Sequence, residues 1–118
     1  GLGKMLAKVV GMDSLEMNQI ASESDLIVHC TTVGMTGGSE PYKSLLKADN
    51  ISDKSLVYDL VYNPRVTPLL IEAKKAGATI MTGMWMLVYQ GAIAFEKWTS
   101  MEAPIEIMSR ATQKGSIS

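Results

Sequence analysis

The sequence has few of the residues that build disulfides, metal centres or nucleic-acid surfaces. It contains one cysteine and one histidine, so an internal disulfide is impossible and a metal site is not expected. A chain without disulfides fits a reducing compartment, and we expect the cytoplasm. Eleven basic residues balance twelve acidic ones and form no basic cluster, so nucleic acid is not an expected partner. No apolar run approaches the roughly 20 residues that span a bilayer, so we expect no membrane partner.

The residues that are present describe one ordinary globular domain. Of the 118 residues, 47% are hydrophobic and 19% are charged, and we assign residues 1–118 to a single domain. Short β-like runs alternate with helical runs, which predicts an α/β fold with a parallel sheet and crossover helices. The predicted strands are Leu26–Cys30, Ser55–Val61 and Ala78–Thr82. The first is continuously apolar at its start, which predicts burial on both faces.

Caps and apolar periodicity predict the helices. Asp13 with Glu16 three residues later has the form of a capping box, which predicts a helix to about Ala21. Thr67 followed by proline predicts a helix that stops at Gly77. An apolar stripe at i, i+3, i+4 and i+7 predicts a longer helix from Met84 to about Trp98. Further helices are predicted over residues 3–10, Tyr42–Leu46 and Pro104–Thr112.

Two polar side chains, Tyr62 and Gln90, lie just beyond the ends of buried apolar elements. An open α/β sheet binds ligands at such places. A phenol and an amide offer donors and acceptors that suit a polyhydroxylated carboxylic acid. The spacing equally fits a strand-end anchor at Tyr62 and a surface residue at Gln90. Gly83, between a strand and a helix, either admits a flat ring or is a plain turn glycine.

His29 and Cys30 are adjacent on the first predicted strand. Neighbouring strand residues point to opposite faces, so these two side chains should not converge on one atom. Cys30 is therefore predicted to be a small buried hydrophobe rather than a ligand or nucleophile. The following segment, Thr36-Gly37-Gly38-Ser39-Glu40-Pro41, is predicted to be a loop whose glycines let the backbone approach a ligand.

Three segments between about Leu26 and Met108 carry specific motifs. One is Asp59-Leu60-Val61-Tyr62-Asn63-Pro64 with Thr67-Pro68-Leu69-Leu70. Another comprises Gly83, Met86-Leu87-Val88 and Gln90. The third is His29-Cys30-Thr31-Thr32-Val33-Gly34-Met35. Together they resemble the shikimate dehydrogenase family, which usually has Asn-Ala-Thr-Ser-x-Gly-Met at the third segment. The resemblance implies a partial Rossmann-like three-layer domain with a short parallel sheet of about three strands and flanking helices.

The resemblance also implies an NADP site and a shikimate site. The Leu60 backbone and Gly83 would hold the nicotinamide carboxamide, and Met86 would pack beside the ring. The five implied cofactor contacts are Thr31, Thr32, Leu60, Gly83 and Met86. The two implied contacts to shikimate or 3-dehydroshikimate are Tyr62 and Gln90.

Parts of the family pattern have no match in this chain. These are the glycine-rich phosphate loop, the Asn-Arg-Thr motif and the substrate domain with its catalytic Lys and Asp. The expected function is therefore that of the C-terminal part of an NADP-dependent oxidoreductase of the shikimate pathway, which serves aromatic amino acid biosynthesis. We expect no catalytic residue in this chain and no turnover by it alone. The alternative is a non-catalytic shikimate- or quinate-binding regulatory module.

In the strand order of the fold, the strand Leu26–Cys30 would lie at the edge of the three strands present. A long apolar edge strand tends to pair with another chain. We therefore expect either self-association through this edge or its coverage by sequence outside the chain.

Overall fold

The computed structural model describes residues 7–115 of the chain. In chain order the elements are α1 (Leu15–Glu23), β1 (Leu26–His29), a 3₁₀ turn (Ala48–Asn50), β2 (Leu56–Asp59), α2 (Pro68–Ala76), β3 (Thr79–Met81), α3 (Met84–Thr99) and α4 (Ile105–Gly115). The helix predicted over residues 3–10 is wrong where it can be compared, since residues 7–10 have no regular structure and residues 3–6 lie outside the described part. None of the helices in that part is long and apolar enough to cross a membrane.

The three strands form a parallel sheet in the order β1-β2-β3. The register aligns Val28 with Tyr58 and Met81, and it aligns His29 with Asp59. The parallel sheet of about three strands is thus confirmed, although each strand is shorter than predicted. β1 is at one edge, as expected.

One face of the sheet carries the core and the other is open at β1. Ile27, Val57 and Ile80 align across the sheet and pack with Leu70 and other residues of a buried cluster. That cluster is supplied by α1, α2 and the segments on either side of the 3₁₀ turn. On the opposite face of β1, Leu26 is 55% exposed and Val28 is 47% exposed. The predicted burial of the first strand on both faces is therefore wrong. Within the described residues, no element covers the second face at this edge.

The N-terminal cap of α1 differs from the predicted capping box. Ser14, rather than Asp13, is the cap, because its hydroxyl accepts a hydrogen bond from the N–H of Met17 at 3.1 Å. Glu16 instead forms an ion pair with Lys8. The helix continues to Glu23, two residues beyond the prediction.

The short helix predicted over Tyr42–Leu46 is wrong. This segment consists of turns and bends. The Ser44 hydroxyl donates to the Leu46 carbonyl at 2.6 Å, a local bond that competes with helix formation. Leu46 is buried in the core cluster while Tyr42 is exposed, so one side chain anchors the segment without helical periodicity.

The predicted boundaries of α2 and α3 are confirmed. Thr67 caps α2 by accepting from the N–H of Leu70 at 3.3 Å, and Gly77 ends it with a φ of 84°, a conformation that favours glycine. α3 packs on α4, where a Cβ on Gly91 would stand 3.2 Å from Met108 Cε. α4 begins as predicted but extends to Gly115.

Candidate functional site

A crevice opens at the carboxyl ends of β1 and β2. Its volume is about 290 Å³, at the lower end of the range for small-molecule sites. The chain enters the crevice directly from each strand, through Cys30 and Thr31 on one side and Leu60 on the other. The lining residues are Cys30, Thr31, Met35, Thr36, Leu60, Val61, Tyr62 and Asn63. The fold thus brings together three of the seven predicted contact residues: Thr31, Leu60 and Tyr62.

The two walls of the crevice are tied together by backbone hydrogen bonds. The Leu60 N–H donates to the His29 carbonyl at 3.0 Å, and the Thr36 N–H donates to the Asn63 carbonyl at 2.9 Å. Gly34 has a φ of 81°, and a Cβ there would stand 3.0 Å from Pro68 Cδ. The loop after β1 is therefore folded tightly against the beginning of α2, and the crevice has two braced walls.

A buried polar network lies beneath these walls. Asp59 is fully buried, and its carboxylate accepts hydrogen bonds from His29 Nδ1 at 2.9 Å, the Val61 N–H at 2.9 Å and the Thr67 hydroxyl at 2.6 Å. His29 Nε2 contacts the hydroxyl oxygen of Thr31. Each polar group thereby has a partner, as burial demands.

Sequence reasoning missed this network. The available signal was an aspartate at the end of a buried strand, followed eight residues later by a helix-capping threonine. The sequence pattern predicts no metal site at the lone histidine and indicates no hydrogen-bond partner for it. Within the described residues, no group of three or more His, Cys, Asp and Glu side chains could hold a metal ion.

Gly83 is a glycine because two backbones touch there. A Cβ at this position would stand 2.3 Å from the Leu60 carbonyl oxygen and 2.9 Å from that of Asp59. Its φ of −69° is ordinary, so no turn requires a glycine. The space of the missing side chain is filled by the Leu60 backbone rather than being open to a ring. The adjacency of Leu60 and Gly83 nevertheless suits the predicted joint contact to a carboxamide.

Met86 and Gln90 line a second groove, between α3 and the open face of the sheet. This groove of about 500 Å³ is lined by Tyr58, Met81, Trp85, Met86, Tyr89, Gln90 and Ile93. The Trp85 and Tyr89 rings stack with centroids 5.8 Å apart. Gln90 donates to the Leu87 carbonyl at 3.0 Å. Gln90 and Tyr62 therefore line separate cavities in this structure.

Thr32, the remaining predicted contact, and Cys30 are both exposed in the segment that follows β1. Thr32 lines neither cavity, and its carbonyl accepts from the Met35 N–H at 3.1 Å. Cys30 is exposed at the mouth of the crevice, so its predicted burial is wrong. It follows the last residue of β1 and lies on the side opposite the buried His29.

In the loop after β1, the Glu40 carboxylate lies 2.8 Å from Lys43 Nζ. This contact raises the pKa of the Lys43 ammonium.

Comparison with known proteins places the chain among dehydrogenases. Residues 83–113 match the model of the Shikimate 5'-dehydrogenase C-terminal domain. A shikimate dehydrogenase (NADP(+)) of Methanopyrus kandleri is 49% identical over 105 residues, which cover 89% of this chain and 36% of that protein. One from Halobacterium salinarum is 47% identical over 90 residues, which cover 76% of this chain and 33% of that protein.

Solved structures agree with these relatives. Shikimate 5-dehydrogenase from Listeria monocytogenes, in complex with shikimate and NAD, matches with a TM-score of 0.76 and 32% identity over 85% of this chain and 35% of that one. The enzyme from Thermus thermophilus, in complex with NADP(H) and shikimate, matches with a TM-score of 0.73 and 36% sequence identity. The match covers 82% of this chain and 36% of that one. The chain spans about a third of the length of the relatives it matches.

Three parallel strands with flanking helices, and a crevice at the carboxyl ends of the strands, define a Rossmann-like α/β unit. Its relatives identify it further. The chain belongs to the shikimate dehydrogenase family and corresponds to the C-terminal portion of those proteins. The predicted family and fold are confirmed.

Proposed function

We propose that this chain forms the nicotinamide-facing part of an NADP-dependent shikimate dehydrogenase. The crevice that joins Thr31, Leu60 and Tyr62 carries the proposal, because it lies where a Rossmann-like sheet receives its ligand. A volume of about 290 Å³ suits one end of a dinucleotide and not the whole molecule. When bound, the cofactor would supply the hydride that interconverts 3-dehydroshikimate and shikimate.

The proposed cofactor contacts divide between the two crevice walls and α3. Thr31 and Thr32 would contact the cofactor from the first wall. The Leu60 backbone and Gly83, already in contact with each other, would present carbonyl and amide groups to the carboxamide. Met86, half exposed on the first turn of α3, would pack beside the ring.

Tyr62 and Gln90 are the proposed contacts to the substrate. The Tyr62 side chain is 48% exposed and lines the crevice, so its hydroxyl is available to a ligand. The side-chain oxygen of Gln90 is free for a ligand, since only the side-chain nitrogen is used, in a hydrogen bond to the Leu87 backbone carbonyl. Because the two residues line separate cavities, a substrate touching both would have to bridge the crevice and the α3 groove.

Calorimetric titration of the chain with NADP, and with NAD in parallel, tests the cofactor proposal. We expect saturable binding of NADP that Thr31→Val weakens, because that substitution removes a polar group from the crevice. Thr79→Val is the matched control, since Thr79 lies on the exposed edge strand β3, outside both cavities. No saturable binding of either dinucleotide would overturn the proposal for this chain.

We further propose that the activity requires residues outside this chain. The family's catalytic Lys and Asp have no counterpart here, so NADP and shikimate mixed with the chain should yield no NADPH. Measurable turnover by the chain alone would contradict this. We also propose the cytoplasm as the compartment, on the basis of the single unpaired cysteine.

A further inference from the structure

His29 is the only histidine in the sequence, and it is buried between two polar groups at the end of β1. Its Nδ1 lies 2.9 Å from Asp59 Oδ1, and its Nε2 contacts the Thr31 hydroxyl. Thr31 in turn lines the crevice. We propose that His29 is a positioning residue that fixes the Thr31 hydroxyl as a hydrogen-bond acceptor toward a ligand in the crevice.

The hydrogen bonds of Asp59 determine which nitrogen of the His29 ring carries the proton. Asp59 Oδ1 already accepts from the Val61 N–H, and Oδ2 accepts from the Thr67 hydroxyl. In its ionised form the Asp59 carboxylate is an acceptor only and has no proton to give. The hydrogen bond to an ionised Asp59 requires a proton on Nδ1, and we assign the tautomer with Nδ1 protonated, in which Nε2 is an acceptor.

The two neighbours of the Thr31 hydroxyl determine the direction of its proton. A threonine hydroxyl has one proton and two lone pairs. The Val33 N–H donates to the Thr31 oxygen at 3.2 Å, which occupies one lone pair. The proton goes to His29 Nε2, the acceptor beside it. What remains for a ligand is one lone pair, so the Thr31 side chain can accept from a ligand and cannot donate to it.

This assignment selects ligand groups by chemistry. An amide N–H or a sugar hydroxyl can donate to Thr31. A phosphate or carboxylate oxygen is itself an acceptor, so it cannot form a hydrogen bond with the remaining lone pair of the Thr31 oxygen. The inference thus deepens the proposed function: it rests on a dinucleotide occupying the crevice and predicts that its amide or ribose end, rather than a phosphate, faces Thr31.

Nitrogen-15 NMR of the imidazole tests the proposal directly, because the one histidine gives one pair of ring resonances. We expect Nδ1 to be protonated and Nε2 to be an unprotonated, hydrogen-bonded acceptor. Thr31→Val should shift the Nε2 resonance while Nδ1 stays bonded to Asp59, and Thr31→Ser should restore it. Thr32→Val is the control, since the neighbouring hydroxyl has no such contact. Protonation of Nε2, with or without protonation of Nδ1, would overturn the proposal, and so would an Nε2 resonance that Thr31→Val leaves unchanged.

A titration with NADP separates this inference from the proposed function. We expect saturating NADP to shift Nε2 through Thr31, and Thr31→Val to weaken NADP binding about three- to tenfold, as the loss of one hydrogen bond predicts. Failure of NADP to bind would overturn the proposed function while the resonances of the free chain still decide the role of His29. Binding of NADP without any shift of Nε2 would overturn the contact between Thr31 and the ligand.

Discussion

Single residues at the strand ends decide whether this crevice forms. Gly83 and Asp59 show two different reasons for this. Gly83 is required by a backbone contact with Leu60, which no side chain can share. Asp59 is required by three donors that converge on one buried carboxylate. At either position, a substitution that looks conservative should therefore destabilise the fold.

Gly83→Ala should be strongly destabilising. The added Cβ would stand 2.3 Å from the Leu60 oxygen and 2.5 Å from its carbon, so α3 or the crevice wall must move. Overpacking of this kind costs about 1–3 kcal/mol or more. Urea unfolding followed by circular dichroism measures the loss of unfolding free energy.

Gly11→Ala is the matched control for this experiment. A Cβ on Gly11 would stand 3.8 Å from Ser14 Cβ, an ordinary contact, so its effect should stay within about 0.5 kcal/mol. Equal unfolding free energies for the two alanine variants would refute the steric role of Gly83.

Asp59→Asn should destabilise the fold by about 1–3 kcal/mol, the cost of an unsatisfied buried group. The new amide nitrogen is a donor, and it would face either the His29 ring or the Thr67 hydroxyl, both of which donate to Asp59. Asp25→Asn, at an exposed site before β1, is the control. Thermal unfolding of both variants checks the difference, and an unchanged Asp59→Asn protein would contradict the network.

At the scale of elements, the sequence predicted what local chemistry determines. The Thr67 cap, the Gly77 stop and the stripe of α3 depend on near neighbours, and all three are confirmed. Tyr42–Leu46 and the exposed Cys30 could not be predicted in this way. Their structure depends on what Leu46 and His29 contact across the fold, and those contacts join residues distant in sequence.

The candidate site divides in the same manner. The position of Tyr62 beyond a strand end was predicted from the pattern, and the structure places it in the crevice. The network of His29, Asp59 and Thr67 was not predicted. The pairing of β1 with β2 brings His29 opposite Asp59, and Thr67 joins through its contact with Asp59 from the start of α2. The separation of Gln90 from Tyr62 depends on how α3 sits beside the sheet, which no local signal encodes.

The link between α2 and the 3₁₀ turn predicts a pH dependence. Glu72 accepts from the Ala48 N–H at 2.9 Å and from Lys75 Nζ at 3.0 Å, and chiefly the first bond lowers the pKa of its carboxyl. A lowered folded-state pKa gives stability that is complete above the unfolded value, about 4.3, and is lost as the pH falls through the folded value.

Glu72→Gln should therefore reduce the stability of the chain near neutral pH. It should also make the loss of stability between pH 7 and pH 3 less steep. Melting temperatures between pH 7 and pH 3 measure both effects. Glu106→Gln removes an exposed ion pair with Arg110 and should change little, since such pairs contribute little. If the melting temperature of the Glu72→Gln variant fell with pH as steeply as that of the unaltered chain, the proposed role of Glu72 in the pH dependence would be contradicted.

At the scale of the whole molecule, the main exposed apolar feature is β1, which has one unpaired edge and one uncovered face. The strand has paired only one of its two edges, and Leu26 and Val28 expose apolar surface beside it. Such an edge attracts another strand. We propose that the isolated chain self-associates through β1, or that further sequence covers it in a longer protein.

Light scattering over a range of concentrations tests the self-association. We expect the average mass of the chain to rise with concentration, and Val28→Lys to suppress the rise, because a charge on an edge strand disfavours pairing. Ile107→Lys is the control, since Ile107 is also exposed but lies on α4. A constant monomeric mass at high concentration would contradict self-association.

The pairing of His29 with Asp59 also selects among alternative alignments of the strands. Because His29 stands directly opposite Asp59, a slip of β1 by one residue would bring Val28 or Cys30 to that place. The carboxylate would then lose its ring partner while buried beneath α2, at a cost that an apolar strand pair would not impose. The polar cluster therefore penalises misaligned pairings during folding, and a chain that reaches the native sheet has its crevice walls already opposed.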